Sequence, residues 1–230
     1  MRGCAAPADV RISVVIPTLN EGAAIAQTIT QLAGVLGDHE VIVVDGGSTD
    51  RTADVAAEAG AWVVLRPGSR AVAMNAGAAR ASGQALLFLH ADTTLPAGAG
   101  DAIRSALARQ AGGAFTVLHD HRPLPFRLAA AAYRPFHHGV YGDQAIFVTR
   151  EAFERVSGYQ LLPIMEDYDL VQRLRRVGRF EVLPLCVTTS ARRQRGQGEL
   201  RTFLRVASIK LLYRLGVSPR WLAARYRPAR

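Results

Sequence analysis

The chain has 230 residues, of which 49% are apolar and 20% charged, and its formal net charge is +9. That length suits one domain, or one domain with a small appendage, and the apolar content is enough for a core. No run of about 18 uncharged apolar residues occurs, which excludes a membrane-spanning helix, and Met1 to Val10 lacks the apolar centre of a signal peptide, so the expected location is the cytoplasm.

Arg11 to Pro17 reads as a buried strand stopped by proline. Asn20-Glu21-Gly22 is a turn, and Ala23 to Leu36 has helical apolar spacing. Glu40 to Val44 is a second buried strand, ending in Asp45-Gly46-Gly47-Ser48-Thr49-Asp50. Thr49 or Asp50 caps the next helix, which Gly60 ends. Ala61 to Arg66 is a third strand, Arg70 to Ala81 a helix, and Ala85 to His90 a fourth strand running into Ala91 and Asp92. Strand and helix alternate four times, which predicts an α/β fold whose ligands sit at the carboxyl ends of parallel strands. Asn20, Asp45, Ser48 and Asp92 all follow strand ends and should meet at one edge.

The second half is less regular. It reads as a helix over 101–110, a strand over 113–119 and an Ala-rich, partly helical segment over 124–138. A strand over 144–149 follows, then a short helix over 150–156, a periodic helix over 167–177 and a strand over 180–185. Leu200, Phe203, Leu204, Ala207, Leu211 and Leu215 mark one face of a late helix. That face is expected to dock on the domain; lying on a membrane surface is the alternative. The organisation expected is a disordered tail over 1–10, one domain whose first half covers 11–95 and whose second half covers 96–198, and an amphipathic, basic tail over 199–230.

A tight glycine turn after a strand lets backbone N–H groups approach a ligand, and Asp45 can accept hydrogen bonds from a base or ribose. Asp92 at a strand end can hold a divalent cation that bridges a diphosphate, or simply cap a turn. Glu166 and Asp167 precede the periodic helix. One of them could serve as a general base, although acids near a helix start also answer its dipole. Gly142-Asp143-Gln144 is a polar turn, and Arg192, Arg193 and Arg195 lie in a basic loop able to clamp phosphate. Arg66, Arg70 and Asn75 are further phosphate candidates. Cys4 and Cys186 have no metal or redox partners in the sequence. Nucleic acid is not an expected partner. Aromatic and basic residues barely interleave, and the strand-end acids would repel a phosphate backbone.

Together these segments resemble family 2 glycosyltransferases with the GT-A fold, a Rossmann-like, mostly parallel mixed sheet flanked by helices. The matching residues are Val14 to Glu21, Val43 to Thr52, Asn75-Ala76-Gly77, Leu89 to Asp92, Gly142-Asp143-Gln144 and Glu166-Asp167. The resemblance implies that Pro17, Thr18, Asn20, Glu21, Asp45, Gly46, Gly47, Ser48, Arg66, Arg70, Asn75, His90 and Ala91 bind a nucleotide-sugar. It also implies that Gly142, Asp143, Gln144 and the three loop arginines meet the acceptor. Asp92 would hold magnesium or manganese, with His90 standing where the metal motif usually has its first acid. Glu166-Asp167 matches the pair that holds the base of inverting members. Asp45-Gly46-Gly47-Ser48, Leu89 to Thr93, Gly142 to Ala145, Ser190 to Arg193 and Leu211 to Val217 further resemble a short group tied to selenium metabolism and arsenosugar-type biosynthesis. That likeness implies transfer from UDP-GlcNAc or UDP-glucose to selenophosphate, giving a 1-seleno-sugar of the selenoneine pathway. A family member acting on a lipid phosphate or an arsenosugar-type acceptor is the alternative.

Overall fold

The computed structural model describes residues 10–119, 140–189 and 208–225. Its strands are β1 (Ile12–Thr18), β2 (His39–Asp45), β3 (Trp62–Leu65), β4 (Ala85–Phe88), β5 (Thr93–Thr94), β6 (Gly112–His119), β7 (Ile146–Thr149) and β8 (Phe180–Thr189). Its helices are α1 (Ile25–Leu36), α2 (Thr52–Glu58), α3 (Arg70–Arg80), α4 (Ala99–Leu107), α5 (Arg150–Arg155), α6 (Glu166–Val177), α7 (208–214) and α8 (Pro219–Arg225). The strands form one sheet in the order β3-β2-β1-β4-β7-β6-β8-β5.

β1 to β4 run parallel to one another, so each pairing needs a helical crossover, and α1, α2 and α3 supply them. β7 runs antiparallel to both β4 and β6, and β8 runs parallel to β6. The result is the mixed, mostly parallel sheet expected for the GT-A class. Alternation along β1 sends Ile12, Val14 and Ile16 to one face, where Ile25, Ile29 and Leu32 of α1 and Ile103 of α4 cover them. Val15 points to the other face, among Met74 and Ala78 of α3, Phe153 of α5 and Leu170 of α6. Gly77 sets the approach of α3, because a Cβ there would stand 2.3 Å from Val15 Cγ1. Part of the arginine excess is structural. The Arg104 guanidinium donates to the carbonyls of Val10, Leu36 and Asp38 at 2.8–3.0 Å, closing the end of α1. Arg150 does the same for Ala81 and Gly83.

Three expectations change. The last strand runs on to Thr189, because β8 bulges: Phe115 pairs with Leu183 but Thr116 with Cys186, leaving Pro184 and Leu185 in the bulge. Proline suits that place, having no N–H to leave unpaired. The short strand β5 pairs with the extension. The third change concerns the late helix. α7 meets the domain through Tyr213, edge-on to Tyr168 at 5.7 Å, while Leu211 and Leu215 stand in solvent. Leu200, Phe203, Leu204 and Ala207 lie outside the described residues, as do residues 1–9 and 124–138.

Candidate functional site

Two loops at the carboxyl edge, 18–22 after β1 and 45–52 after β2, are sewn together. Asp45 Oδ1 accepts from the Gly47 and Ser48 amides at 2.8 and 2.7 Å. Its Oδ2 accepts from the Ser48 hydroxyl at 2.6 Å and the Thr18 hydroxyl at 3.3 Å. Asn20 has a left-handed backbone, φ 57°, and its Oδ1 accepts from the Thr49 amide at 2.9 Å. The Glu21 amide donates to the Thr52 hydroxyl at 2.8 Å, and the Gly22 amide to Asp50 Oδ2 at 3.1 Å. The Asp45 carboxylate is 1% exposed and committed to the loop itself. Pro17 is partly buried at the end of β1 opposite Val44, and Gly46 donates to the Thr18 carbonyl. Arg66 is exposed, its amide bound to the Asp45 carbonyl at 2.8 Å.

The turn after β4 is hung from α1. Thr28 donates to the Ala91 carbonyl at 2.7 Å, and Gln31 brackets Thr93 and Leu95. That fixes His90 and Asp92 at the sheet edge. Beside them Arg70, the first residue of α3, contacts His90 Nε2 with its Nη2. Its Nε lies 3.9 Å from Glu166 Oε1 and its Nη2 lies 3.8 Å from Asp167 Oδ2. One guanidinium thus joins the turn after β4 to the start of α6.

The electrostatics follow. Burial opposes the charge on Arg70, but Asp167 and Glu166 outweigh it and hold the group cationic. Burial, and then Arg70, push His90 well below its ordinary range, so the ring is neutral. A neutral ring that accepts from Arg70 at Nε2 carries its proton on Nδ1. Burial, with the neighbouring Asp167 charge, raises Glu166 to about 7 against the pull of Arg70. Asp167 is also raised, by burial first, with Arg70 opposing and Asp143 adding repulsion.

Met165, left-handed at φ 66°, turns the chain into α6 and delivers both acids to this spot. Gly142 is the other half of the fit. A Cβ there would lie 2.3 Å from Asp167 Oδ2 and 2.4 Å from Arg70 Nη2. Gln144 is taken up locally: its Oε1 accepts from the Tyr141 amide at 2.9 Å and its Nε2 donates to the Phe115 carbonyl at 3.2 Å. Asn75 makes a pair of hydrogen bonds with the Tyr159 backbone: its Oδ1 accepts from the amide at 2.9 Å and its Nδ2 donates to the carbonyl at 2.8 Å. It therefore ties α3 to the loop before α6. Tyr159 was not singled out by the sequence. Its buried hydroxyl faces the Asp167 carboxylate. A Ser-Gly-Tyr turn after a short helix is too common a pattern to mark it.

The structure therefore brings Arg70, His90, Gly142, Glu166 and Asp167 together, and it uses Asp45, Asn20, Asn75 and Gln144 to hold loops. Arg192, Arg193 and Arg195 lie outside the described residues. A shallow hollow lined by Gln110, Arg175 and Phe180 opens at the opposite, amino-terminal ends of β6 and β8.

The family model for glycosyl transferase family 2 matches residues 13–154, more than half of the chain. The chain belongs to this family. A PGL/p-HBAD biosynthesis glycosyltransferase of Mycobacterium bovis is 41% identical over 91 residues, which is 36% of this family 2 chain and 36% of the relative. The match thus spans about a third of the relative's length. Among solved structures, a mannosyltransferase from Pyrobaculum calidifontis with GDP-Man and Mn2+ superposes with a TM-score of 0.65 at 22% identity, covering 96% of this chain and 66% of that one. Glucosyl-3-phosphoglycerate synthase from Mycobacterium tuberculosis, with Mg2+ and UDP, gives 0.62 at 24%, covering 93% and 82%. These two establish the glycosyltransferase as GT-A in fold.

Among the described residues, no group of three or more His, Cys, Asp or Glu gathers as a complete metal cage. Magnesium does not need one, since it binds through one or two carboxylates with waters and substrate phosphates. Asp92 fits that donor set. His90 adds nothing to it, because its Nε2 is taken by Arg70.

Proposed function

We propose that this family 2 enzyme transfers a sugar from a UDP-sugar, with inversion, to an acceptor hydroxyl that Glu166 deprotonates. The observation that carries this is the buried acid pair at the start of α6, with Glu166 raised to about 7 by burial and Asp167. A base poised there is half ionised at neutral pH and strong enough to take a proton as a sugar bond forms. The loops after β1 and β2 supply backbone groups around the nucleoside. The Nδ1 proton of His90 is directed to the donor's ribose or diphosphate. Arg70 sits where charge develops on the leaving UDP and stabilises it. Asp92 would hold magnesium or manganese against the diphosphate, which would neutralise charge on the leaving group. Asp167 and Arg70 keep Glu166 in place.

The finer reading drawn from sequence resemblance is transfer to selenophosphate, with Arg192, Arg193 and Arg195 as the anion clamp. A selenium nucleophile already carries its charge and asks little of a base. The tuned pair therefore favours a proton-bearing acceptor.

Mass spectrometry of products decides between them, with UDP-GlcNAc and UDP-glucose as donors. Hydroxyl acceptors, selenophosphate, thiophosphate and phosphate make up the acceptor panel. Glycosides of hydroxyl acceptors support the reading; a 1-seleno-sugar as sole product would replace it. Asp92→Ala is expected to abolish turnover, and EDTA to do the same in the wild type. Full activity of the variant in EDTA would remove Asp92 and the metal from the mechanism.

A further inference from the structure

Residues 208–225 carry Lys210, Arg214, Arg220 and Arg225 and no acid. The same stretch turns Leu211, Leu215 and Trp221 to solvent, at 59%, 71% and 45% exposure. The Leu215 amide bonds to the Leu211 carbonyl at 3.0 Å, so these leucines are one helical turn apart on one side of α7. The other side is already seated. Tyr213 packs on Tyr168, Lys210 Nζ lies 3.6 Å from the Tyr141 ring centroid, and the Arg214 guanidinium lies 5.7 Å from that of Tyr168. α7 is thus attached by tyrosines and cations, and Leu211 and Leu215 are left unused by the domain.

The attachment is next to the chemistry. Tyr141 precedes Gly142, which touches Arg70 and Asp167, and Tyr168 follows Asp167 directly. The two rings stack at 5.9 Å, so the seat of α7 is built from the flanks of the acid pair.

Large apolar side chains in water, set among arginines with no acid, match the chemistry of an anionic bilayer surface. The apolar groups enter the headgroup boundary and the cations meet the lipid phosphates. A second copy of this chain fits poorly, because the same basic stretch would face itself. We infer that residues 208–225 seat the enzyme on an anionic bilayer surface and so present the acid pair to acceptors carried in that surface. Only the second half of this inference rests on the transfer reading; the docking stands without it.

Flotation of the full chain tests it, using vesicles of phosphatidylcholine alone and vesicles mixed with phosphatidylglycerol. The mixed vesicles should carry the chain upward and the neutral ones leave it behind, with added salt weakening capture. The variant Leu211→Ser, Leu215→Ser, Trp221→Ser should lose flotation by about tenfold or more while keeping its melting temperature and UDP affinity. Arg220→Ala with Arg225→Ala should weaken capture by the anionic vesicles selectively. Equal capture of the serine variant, or equal capture by neutral vesicles, overturns the inference. So does light scattering that shows a wild-type dimer which the serine variant splits, because the face would then belong to a second copy. Failure to bind UDP would count against the transfer reading and leave the flotation result untouched.

Discussion

At the scale of residues, the site is a charge problem solved by one arginine. Two acids buried side by side repel, and Arg70 offsets that repulsion only partly, at 3.8 and 3.9 Å. Burial first, and then the repulsion from Asp167 that remains, raises Glu166 to about 7. The sign of the pH effect follows. Below about 7 the base is protonated and idle, so kcat/KM should fall about tenfold for each unit of acidification and level off on the alkaline side. A profile flat from pH 5 to 8, roughly the span over which such a base titrates, would show that Glu166 is not the base. Glu166→Gln keeps the shape and removes the basicity; it should lower kcat by about 100-fold or more with little change in donor KM. A donor KM that rises as much as kcat falls would give Glu166 a binding role instead.

At the scale of elements, the join between α3 and the loop before α6 governs the geometry. Asn75 makes both bonds to the Tyr159 backbone, and Arg173 holds the same turn through the Val156 and Gly158 carbonyls. Asn75→Ala leaves that amide and carbonyl unpaired in a buried place. It should cost about 1–3 kcal/mol, read by denaturant midpoint, and should lower kcat because Arg70 and Glu166 lose their common frame. An unchanged kcat would show that α6 is positioned without α3.

Much at this scale was legible in the sequence. Strand–helix alternation marked β1 to β4 and the loops that follow them, because each element carries its own period. The antiparallel β7, the bulge at Pro184 and the β5–β8 pair were not legible, because long-range register decides them. Candidate site residues were legible as types at strand ends. Their division of labour was not. Asp45 and Asn20 read as ligand contacts, yet the described contacts of the Asp45 carboxylate and of Asn20 Oδ1 hold loops, and only partners far along the chain reveal that. The apolar stripe of the late helix suggested docking. Tyrosines with a different spacing do the docking instead.

At the scale of the whole molecule, the acid pair is a liability to stability. The folded pKa of Glu166 lies above its ordinary 4.5, so the native state binds that proton more tightly than the unfolded chain does. The associated stability is present below about 4.5 and is lost as pH rises through about 7. Glu166→Gln removes this dependence. Relative to wild type it should gain about 1–3 kcal/mol at neutral pH and little at pH 4, read as a melting temperature some 2–4 °C higher per kcal/mol. A gap between the two proteins that stays constant with pH would contradict this.

The sheet also dictates an order of assembly. β1 pairs with β2 and β4 from early sequence, whereas β6 meets β7 only at Gly112 and Gly113 and needs β8 for the rest of its length. During synthesis the His90 turn leaves the ribosome roughly 4–15 s before the acid pair at the usual rates of elongation. The loops after β1 and β2 and Arg70 are therefore made first, and Arg70 emerges without Glu166 and Asp167. On the proposed reading, the loops assigned to the donor are thus synthesised before the assigned base, and turnover has to wait for α6.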